Sequence, residues 1–437
     1  MKNTKANDSF SLSNVYDEGS IISSLYPVAY IYPEKEQKET DKINLIKRGN
    51  PIYTGRTISC FTEDDSQYIL IYPQTEDLLP SFTKLNEPMI KPDNLIVLPN
   101  KIRTATPQKH DQIILEFINQ LNKKIYTTIP YEISDSLQPI SDSTLDYLNN
   151  KINLPKLLNE EHELMPKRFI IFINGEAFSS YKLDKNEVQM PCVIKLSNSS
   201  GGLGVRLCKT KKDFTTAQKD FSSTNDWIHI EEFIEGTPFS VQFTIPRRGE
   251  IKCIGSNFQI LDGPELEGGT IKGDLSLNSN VEEKLKKSIL KKAQDIGFHG
   301  ICIMGGIIDN NNKFYMFDPN FRPNASMNHA VARMRMGGIH ASNQTMFTAE
   351  IPRGKLKTLE SLAKNSGDRI MRVSTMASDG AEKVIFNGAI LHDSPETLRE
   401  NTTIVKKNLK IKNSSFVLNY ILKTPDAIEN LYLPKYN

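Results

Sequence analysis

The chain has 437 residues, enough for two to four domains that each bury a core. Its 54 Lys and Arg stand against 52 Asp and Glu, a formal net charge of +2, so no long-range field calls for nucleic acid or a membrane surface as partner. No run approaches ~18 apolar residues, the amino terminus shows no apolar leader core, and the five cysteines form no C-x-x-C pair. The expectation is a cytoplasmic protein with reduced, mostly buried thiols.

In chain order, residues 1–20 are polar and read as a loosely held N-terminus. Across 21–140, strand-like runs at 28–32, 68–72 and 95–98 alternate with longer connections, and Ile114, Phe117, Ile118 and Leu121 fall at helical spacing over 111–123. That pattern predicts an α/β domain with no glycine fingerprint of its own, one that packs and shapes a substrate site. Residues 134–142 read as a linker. The unit 141–350 carries most of the chemistry. Residues 351–437, with strand signals at 370–373 and 383–386 and a helix near 395–407, read as a small C-terminal lid.

Three motifs stand out in the middle unit. Apolar strands at 192–196 and 203–208 flank the loop Ser197-Asn198-Ser199-Ser200-Gly201-Gly202-Leu203-Gly204. Such a tip is either a flexible turn or a set of backbone N–H groups laid on a polyanion. Its order is neither that of a P-loop nor G-x-G-x-x-G. Lys195, in the middle of an apolar strand, needs an anion, because burying an unpaired ammonium is costly. Next, 227–243 reads as a strand, a Gly236-Thr237-Pro238 crossing and a second strand. The backbone of Glu232 and Phe233 there either faces an adenine edge or belongs to ordinary core strands. Last, a strand at 313–317 follows the turn Asp309-Asn310-Asn311-Asn312 and leads into Asp318, Asn320 and Arg322, which share a face. Oxygen donors there suit a hard cation and the guanidinium suits phosphate or carboxylate, the alternative being a solvated strand end.

A helix is expected at 281–297, capped by Asn280 with Glu283 and burying Leu285, Ile289, Ala293 and Ile296. Downstream, His329 and Arg333 fall four apart and Arg335 lies nearby; they read as a substrate-carboxylate site or as a solvated helix face. Gly263, Gly268, Gly269 and Gly273 mark a stretch at 262–274 that is either a closing loop or an ordinary connection.

In order and spacing these pieces resemble the ATP-grasp superfamily of carboxylate-amine ligases over about residues 145–345, and within it the pheganomycin-type peptide and amino-acid ligases. The resemblance implies an α+β fold in which two α+β subdomains grip the nucleotide, with an N-terminal α/β pre-domain and a small C-terminal extension. It implies ATP and Mg²⁺ as cofactors. Residue by residue, it places Lys151 and Lys195 on the phosphates, and Ser199, Ser200, Gly201, Gly202 and Gly204 over the γ-phosphate. Glu231, Glu232, Phe233 and Ile234 match the adenine hinge, Asp318 and Asn320 hold the metal, and Arg322 and Arg335 are catalytic. The implied partners are a small-molecule carboxylate and the amine of an amino acid or peptide, with a carrier-protein thiol as the alternative acceptor and room for a homodimer. Two positions depart from the pattern. Gly305 stands where a first metal acid is expected, leaving Asp309 or a substrate oxygen to replace it, and Pro238 stands near the place of a ribose-binding acid, with Glu235 close by. These departures keep open an ATP-binding module without turnover.

Overall fold

Three sheets organise the chain in a computed structural model that describes residues 12, 15–23, 65–76, 92–128, 131, 133–184, 186–199, 202, 204–262, 265–271, 277–323, 343–365, 372–378, 382–411 and 415–424. Strands β1 (Ile21–Ser23), β2 (Tyr68–Ile71), β3 (Leu95–Val97) and β4 (Ile125–Thr127) form a parallel sheet in the order β3-β2-β1-β4. Parallel strands need crossover connections, and the helix Pro107–Leu121 lies on the one that carries the chain from β3 at one edge of the sheet to β4 at the other. It begins four residues ahead of the expected 111 because Pro107, whose fixed φ suits a first turn, opens it. Ile114 and Ile118 are fully buried on its inner face. The run at 28–32 lies outside the described residues.

The second sheet is antiparallel, built from β5 (Arg168–Phe172), β6 (Cys192–Leu196), β7 (Val205–Cys208) and β8 (Ile228–Glu232) in the order β5-β8-β6-β7. Its aromatic-rich core of Phe172, Phe178, Phe214 and Phe221 is closed by helices Gly175–Ser179 and Lys211–Asp220. The third sheet has eight strands: β9 (Gly236–Ile245), β10 (Lys252–Asp262), β11 (Glu265–Ile271), β12 (Gly300–Asp309), β13 (Phe314–Asn320), β14 (Asn343–Pro352), β15 (Arg372–Ser378) and β16 (Lys383–His392). Their order is β13-β12-β9-β10-β11-β14-β16-β15. Alternation along β9 sends Phe239, Val241, Phe243 and Ile245 into the main core, so Ser240 and Gln242 project from the opposite face.

Several expectations are corrected here. Within the 262–274 stretch, Asp262 ends β10 and residues 265–271 form β11, paired antiparallel to it with Asp262 opposite Glu265, so Gly268 and Gly269 lie in a strand and not in a closing loop; Gly263 and Gly273 lie outside the described residues. The break at 350 falls inside β14, and β16 and β15 extend the same sheet. The 279–295 helix is capped two residues earlier than expected, by Asn278, whose side chain accepts from the Asn280 N–H. A π-turn over Lys286–Leu290 then shifts its phase, so Leu290 is buried and Ile296 is left 40% exposed.

The N-terminal sheet is tied to the third sheet by Tyr16 Oη, which accepts from the Ile301 N–H at 3.1 Å, by Tyr126 Oη against His299 Nε2 at 2.8 Å, and by an Arg247–Asp17 ion pair. That junction fixes the start of β12, the strand whose far half borders the candidate site.

Candidate functional site

The glycine loop joins β6 to β7 immediately after Lys195 pairs with Val205. Gly202 takes a left-handed φ of 77°, which only glycine adopts freely. At Gly204 a Cβ would lie 2.4 Å from Ser199 Cβ, so the turn closes only around a glycine. Its base is held by Asp226, which accepts from the Asn198 N–H at 2.7 Å. The structure thus describes Ser199, Gly202 and Gly204 of the expected cradle; Ser200 and Gly201 lie outside the described residues.

Beneath the loop, one face of the second sheet gathers charge. Lys195 sits opposite His229, and Arg168 sits opposite Glu231, on neighbouring strands. Lys195 Nζ donates to Glu231 Oε2 at 2.7 Å, Arg168 Nη2 donates to Glu231 Oε1 at 3.0 Å, and His229 Nε2 lies 3.3 Å from that same oxygen. The anion that Lys195 needs is therefore Glu231, a buried carboxylate and not a backbone edge. Burial alone would raise the Glu231 carboxyl, but Lys195, His229 and Arg168 hold it well below its ordinary value. Burial pushes His229 down to about 4 against the partial opposition of Glu231, so its imidazole is neutral.

Lys151 links this sheet to the third one. Its Nζ donates to the Ser199 carbonyl at 2.7 Å and lies 3.3 Å from Asp318 Oδ1, and its backbone N–H donates to the Ser197 carbonyl. From the other side, Lys195 Nζ stands 4.2 Å from the centroid of the Phe317 ring, in cation–π range. The Asp318 side chain is 39% exposed; the partial desolvation it does suffer raises its carboxyl, and Lys151, Asn320 and Arg322 together bring it below its ordinary value. Asn320 Nδ2 donates to both the Asp318 carbonyl and its Oδ2, at 3.1 and 2.8 Å, which leaves the amide oxygen for a ligand. Arg322 is buried two residues on. Arg335, with His329 and Arg333, lies outside the described residues.

The hinge differs in detail from its expected form. β8 runs through Glu232, whose N–H donates to the Lys167 carbonyl at 2.9 Å and whose carboxylate accepts from the Lys167 N–H. Glu232 is thus paired through its N–H, and the open edge is Phe233–Ile234, just before β9 begins at Gly236. Pro238 lies inside β9 opposite Ile307, not in a crossing.

Gly305 is opposite Asp318 on β13 and Ser240 on β9. A Cβ there would come within 3.6 Å of Asp318 Oδ2, so a carboxylate at 305 would face Asp318, and glycine leaves that row open. Asp309 does not replace it, because its Oδ1 accepts from the Asn311 and Lys313 N–H groups to close the β12–β13 turn. Among the described residues no group of three or more His, Cys, Asp or Glu could hold a metal, and no helix is long and apolar enough to cross a membrane. Sequence reasoning missed Arg168, Asp226 and Phe317. Only Arg168, a charge opening the apolar run of β5, left a mark in the sequence.

Residues 171–320 match the family described as L-aspartate–L-methionine ligase, ATP grasp. Biotin carboxylase of Nostoc sp. is 26% identical over 162 residues, 35% of each chain, so the match spans about a third of that relative's length. Among solved structures, a biotin carboxylase–β-γ-ATP complex from Campylobacter jejuni is similar with a TM-score of 0.57 at 11% identity, covering 95% of this chain and 96% of that one. The biotin carboxylase domain dimer of a Hydrogenobacter thermophilus 2-oxoglutarate carboxylase, in complex with MgADP, ADP and bicarbonate, follows with a TM-score of 0.54 at 12% identity, covering 94% and 95%.

Proposed function

We propose that this chain, which carries the ATP-grasp fold and belongs to that superfamily of ligases, activates a carboxylate as an acyl-phosphate at the expense of ATP and joins it to the amine of an amino acid or peptide. The observation that carries this reading is the Lys151 ammonium, which touches the glycine hairpin at the Ser199 carbonyl and the metal-strand acid Asp318 at once. A triphosphate lying between the two sheets would meet Lys151, Lys195 and the hairpin N–H groups together.

On this reading the Phe233–Ile234 edge receives the adenine, and Lys151 and Lys195 hold the α- and β-phosphates. The hairpin covers the γ-phosphate. The hard oxygens of Asp318 and Asn320 fit Mg²⁺, which takes one or two protein ligands and completes its shell with phosphate oxygens. Bound there, Mg²⁺ would supply charge neutralisation on the transferring phosphoryl group. The substrate carboxylate attacks the γ-phosphorus and ADP leaves; the amine then attacks the acyl carbon and phosphate leaves. Arg322 stabilises the negative charge that builds in both steps, and the chain contributes positioning and preorganised charge with no covalent chemistry of its own. A second copy of the chain is the expected partner, since the Hydrogenobacter thermophilus relative is a domain dimer.

The test is ADP and phosphate release from MgATP with paired pools of carboxylates and amines. Release that requires both supports the ligase. Nucleotide binding with no release in any pool would favour the second reading, an ATP-binding module without turnover, for which Gly305 in the place of a metal acid speaks.

A further inference from the structure

Three buried polar side chains on the face of the third sheet opposite Phe239, Val241 and Phe243 take no part in the site described so far. Ser240, Gln242 and Asn257 are each at most 1% exposed. Asn257 is opposite Ser240, Ser240 is opposite Gly305, and Gly305 is opposite Asp318, so they share a row with the metal-strand acid. Gln242, opposite Ile303, which is opposite Asn320, lies in the next row. The side chain of Ile303, 1% exposed, fills the place between Gln242 and Asn320. The open row is the neighbouring one, where Ser240 and Asp318 lie two strands, about 10 Å, apart with no side chain at Gly305 between them, a gap that fits a small amino-acid-sized molecule beside Gln242.

The hydrogen bonds of the cluster fix its polarity. Asn257 Nδ2 donates to the Phe258 carbonyl at 3.2 Å, which turns Asn257 Oδ1 toward its neighbours. Ser240 Oγ and Gln242 Nε2 both donate to that oxygen, each at 2.8 Å, and Gln242 Nε2 also donates to Ser240 Oγ at 3.0 Å. Both protons of the Gln242 amide are thereby spent. Flipping it would set its oxygen against Asn257 Oδ1. Gln242 Oε1 is left pointing out of the cluster, buried and with no hydrogen-bond partner among the described residues. A buried acceptor without a donor is costly to keep, and what would satisfy it is an N–H.

We propose that Gln242 Oε1 is the acceptor that receives an N–H of the attacking amine, making the Ser240–Gln242–Asn257 cluster the amine subsite of the ligase. The inference rests on the proposed ligase reading and adds the chemical class of group recognised at this place. A neutral amide suits that role better than a carboxylate. A carboxylate would hold the amine as ammonium, which has no lone pair for attack. Gly305 is consistent with this, since Asp318 is then the only ionised group of its row.

The experiment uses hydroxylamine, a small nucleophile that traps acyl-phosphates as hydroxamates without needing an amine subsite, beside the natural-type reaction with a pool of amino acids and dipeptides. Gln242→Met should keep carboxylate-dependent hydroxamate formation within about twofold while raising KM for the amine about 10–100-fold. Gln242→Glu should leave that KM unchanged or lower and reduce kcat. An unchanged KM in Gln242→Met overturns the assignment, as does an equal loss of hydroxamate and amide product in a folded variant. If the wild type makes no hydroxamate from any carboxylate, the ligase reading fails instead. The Gln242 assignment is then read from thermal shift by the amino-acid pool: a shift in wild type that Gln242→Met loses sustains it, and no shift, or one the variant keeps, ends it.

Discussion

Replacing Glu231 by Gln removes the anion shared by Lys195, Arg168 and His229 while keeping its shape. Glu231 is 1% exposed, and the Lys195 and Arg168 side chains are 6% and 8% exposed, so solvent screens the cluster little. Breaking a buried ion pair on one side leaves an uncompensated charge and costs about 3–5 kcal/mol, a large part of the ~5–15 kcal/mol typical of folded proteins. Both cations lose the shared negative charge here, but Arg168 keeps the Ile152 and Lys151 carbonyls as acceptors, so the expected loss lies within that range, read from urea unfolding at pH 7. Nucleotide should behave in the opposite sense. In the wild type a triphosphate competes with Glu231 for Lys195, and in the variant it does not, so the stabilisation by MgATP, ~2.7 kcal/mol at a hundredfold excess over Kd, should be at least as large in the variant. Wild-type stability in Glu231→Gln would refute the ion-pair account. A folded variant that no longer responds to MgATP would show instead that Glu231 touches the nucleotide directly.

Four further outcomes are expected. Burial lowers His229 from 6.5 to about 4, so the unfolded chain takes up its proton first as pH falls; stability should be full above pH 6.5 and drop by about 3 kcal/mol on the way to pH 4, and His229→Gln should flatten that part of the urea-midpoint profile. Lys195→Ala should reduce the MgATP thermal shift more than Lys209→Ala, whose residue is exposed beyond β7. Arg322→Ala should leave nucleotide affinity largely intact and lower turnover by ~10²–10³-fold, the effect of losing one preorganised donor to a developing anion, measured by steady-state ADP release. Gly305→Asp should tighten Mg²⁺ in the presence of ADP, measured by titration calorimetry, if the Asp318 backbone 3.2 Å from the new Cβ yields by a few tenths of an ångström; an unchanged Mg²⁺ affinity in a folded variant would count against a metal at Asp318.

The sequence made the local motifs legible because each is a short-range pattern. The alternation into Asp318 and Asn320, the glycine tip after Lys195 and the apolar runs of β6 and β8 all survive in the structure. What it hid depends on register. Nothing within a few residues of Glu231 says that its partner is Lys195, 36 positions away, and a reading confined to one strand took the hinge as backbone chemistry alone. The cap at Asn278 and the phase shift of the π-turn escaped for a related reason, since a 3.6-residue template assumes an unbroken helix. Gln242 and Asn257 look like ordinary strand polars until cross-strand pairing sets them in rows beside Ser240 and Asp318.

Those rows also bear on the departure at Gly305. With a second carboxylate beside Asp318, Lys151 would stand between two anions and be held more firmly to the metal strand. With glycine there, Lys151 has one carboxylate, about two-fifths exposed, and one carbonyl as partners, and the Asp318 ion pair is the weaker hold because solvent screens it. A triphosphate can therefore draw the Lys151 ammonium away from Asp318 at modest cost and free that carboxylate for Mg²⁺ in the same movement. The nucleotide and the cation would then bind with mutual support, each vacating or filling the partner that the other requires. On this argument the glycine weakens the grip on free Mg²⁺ far more than the grip on MgATP. The ratio of the two affinities, compared between wild type and Gly305→Asp, is where the difference should appear.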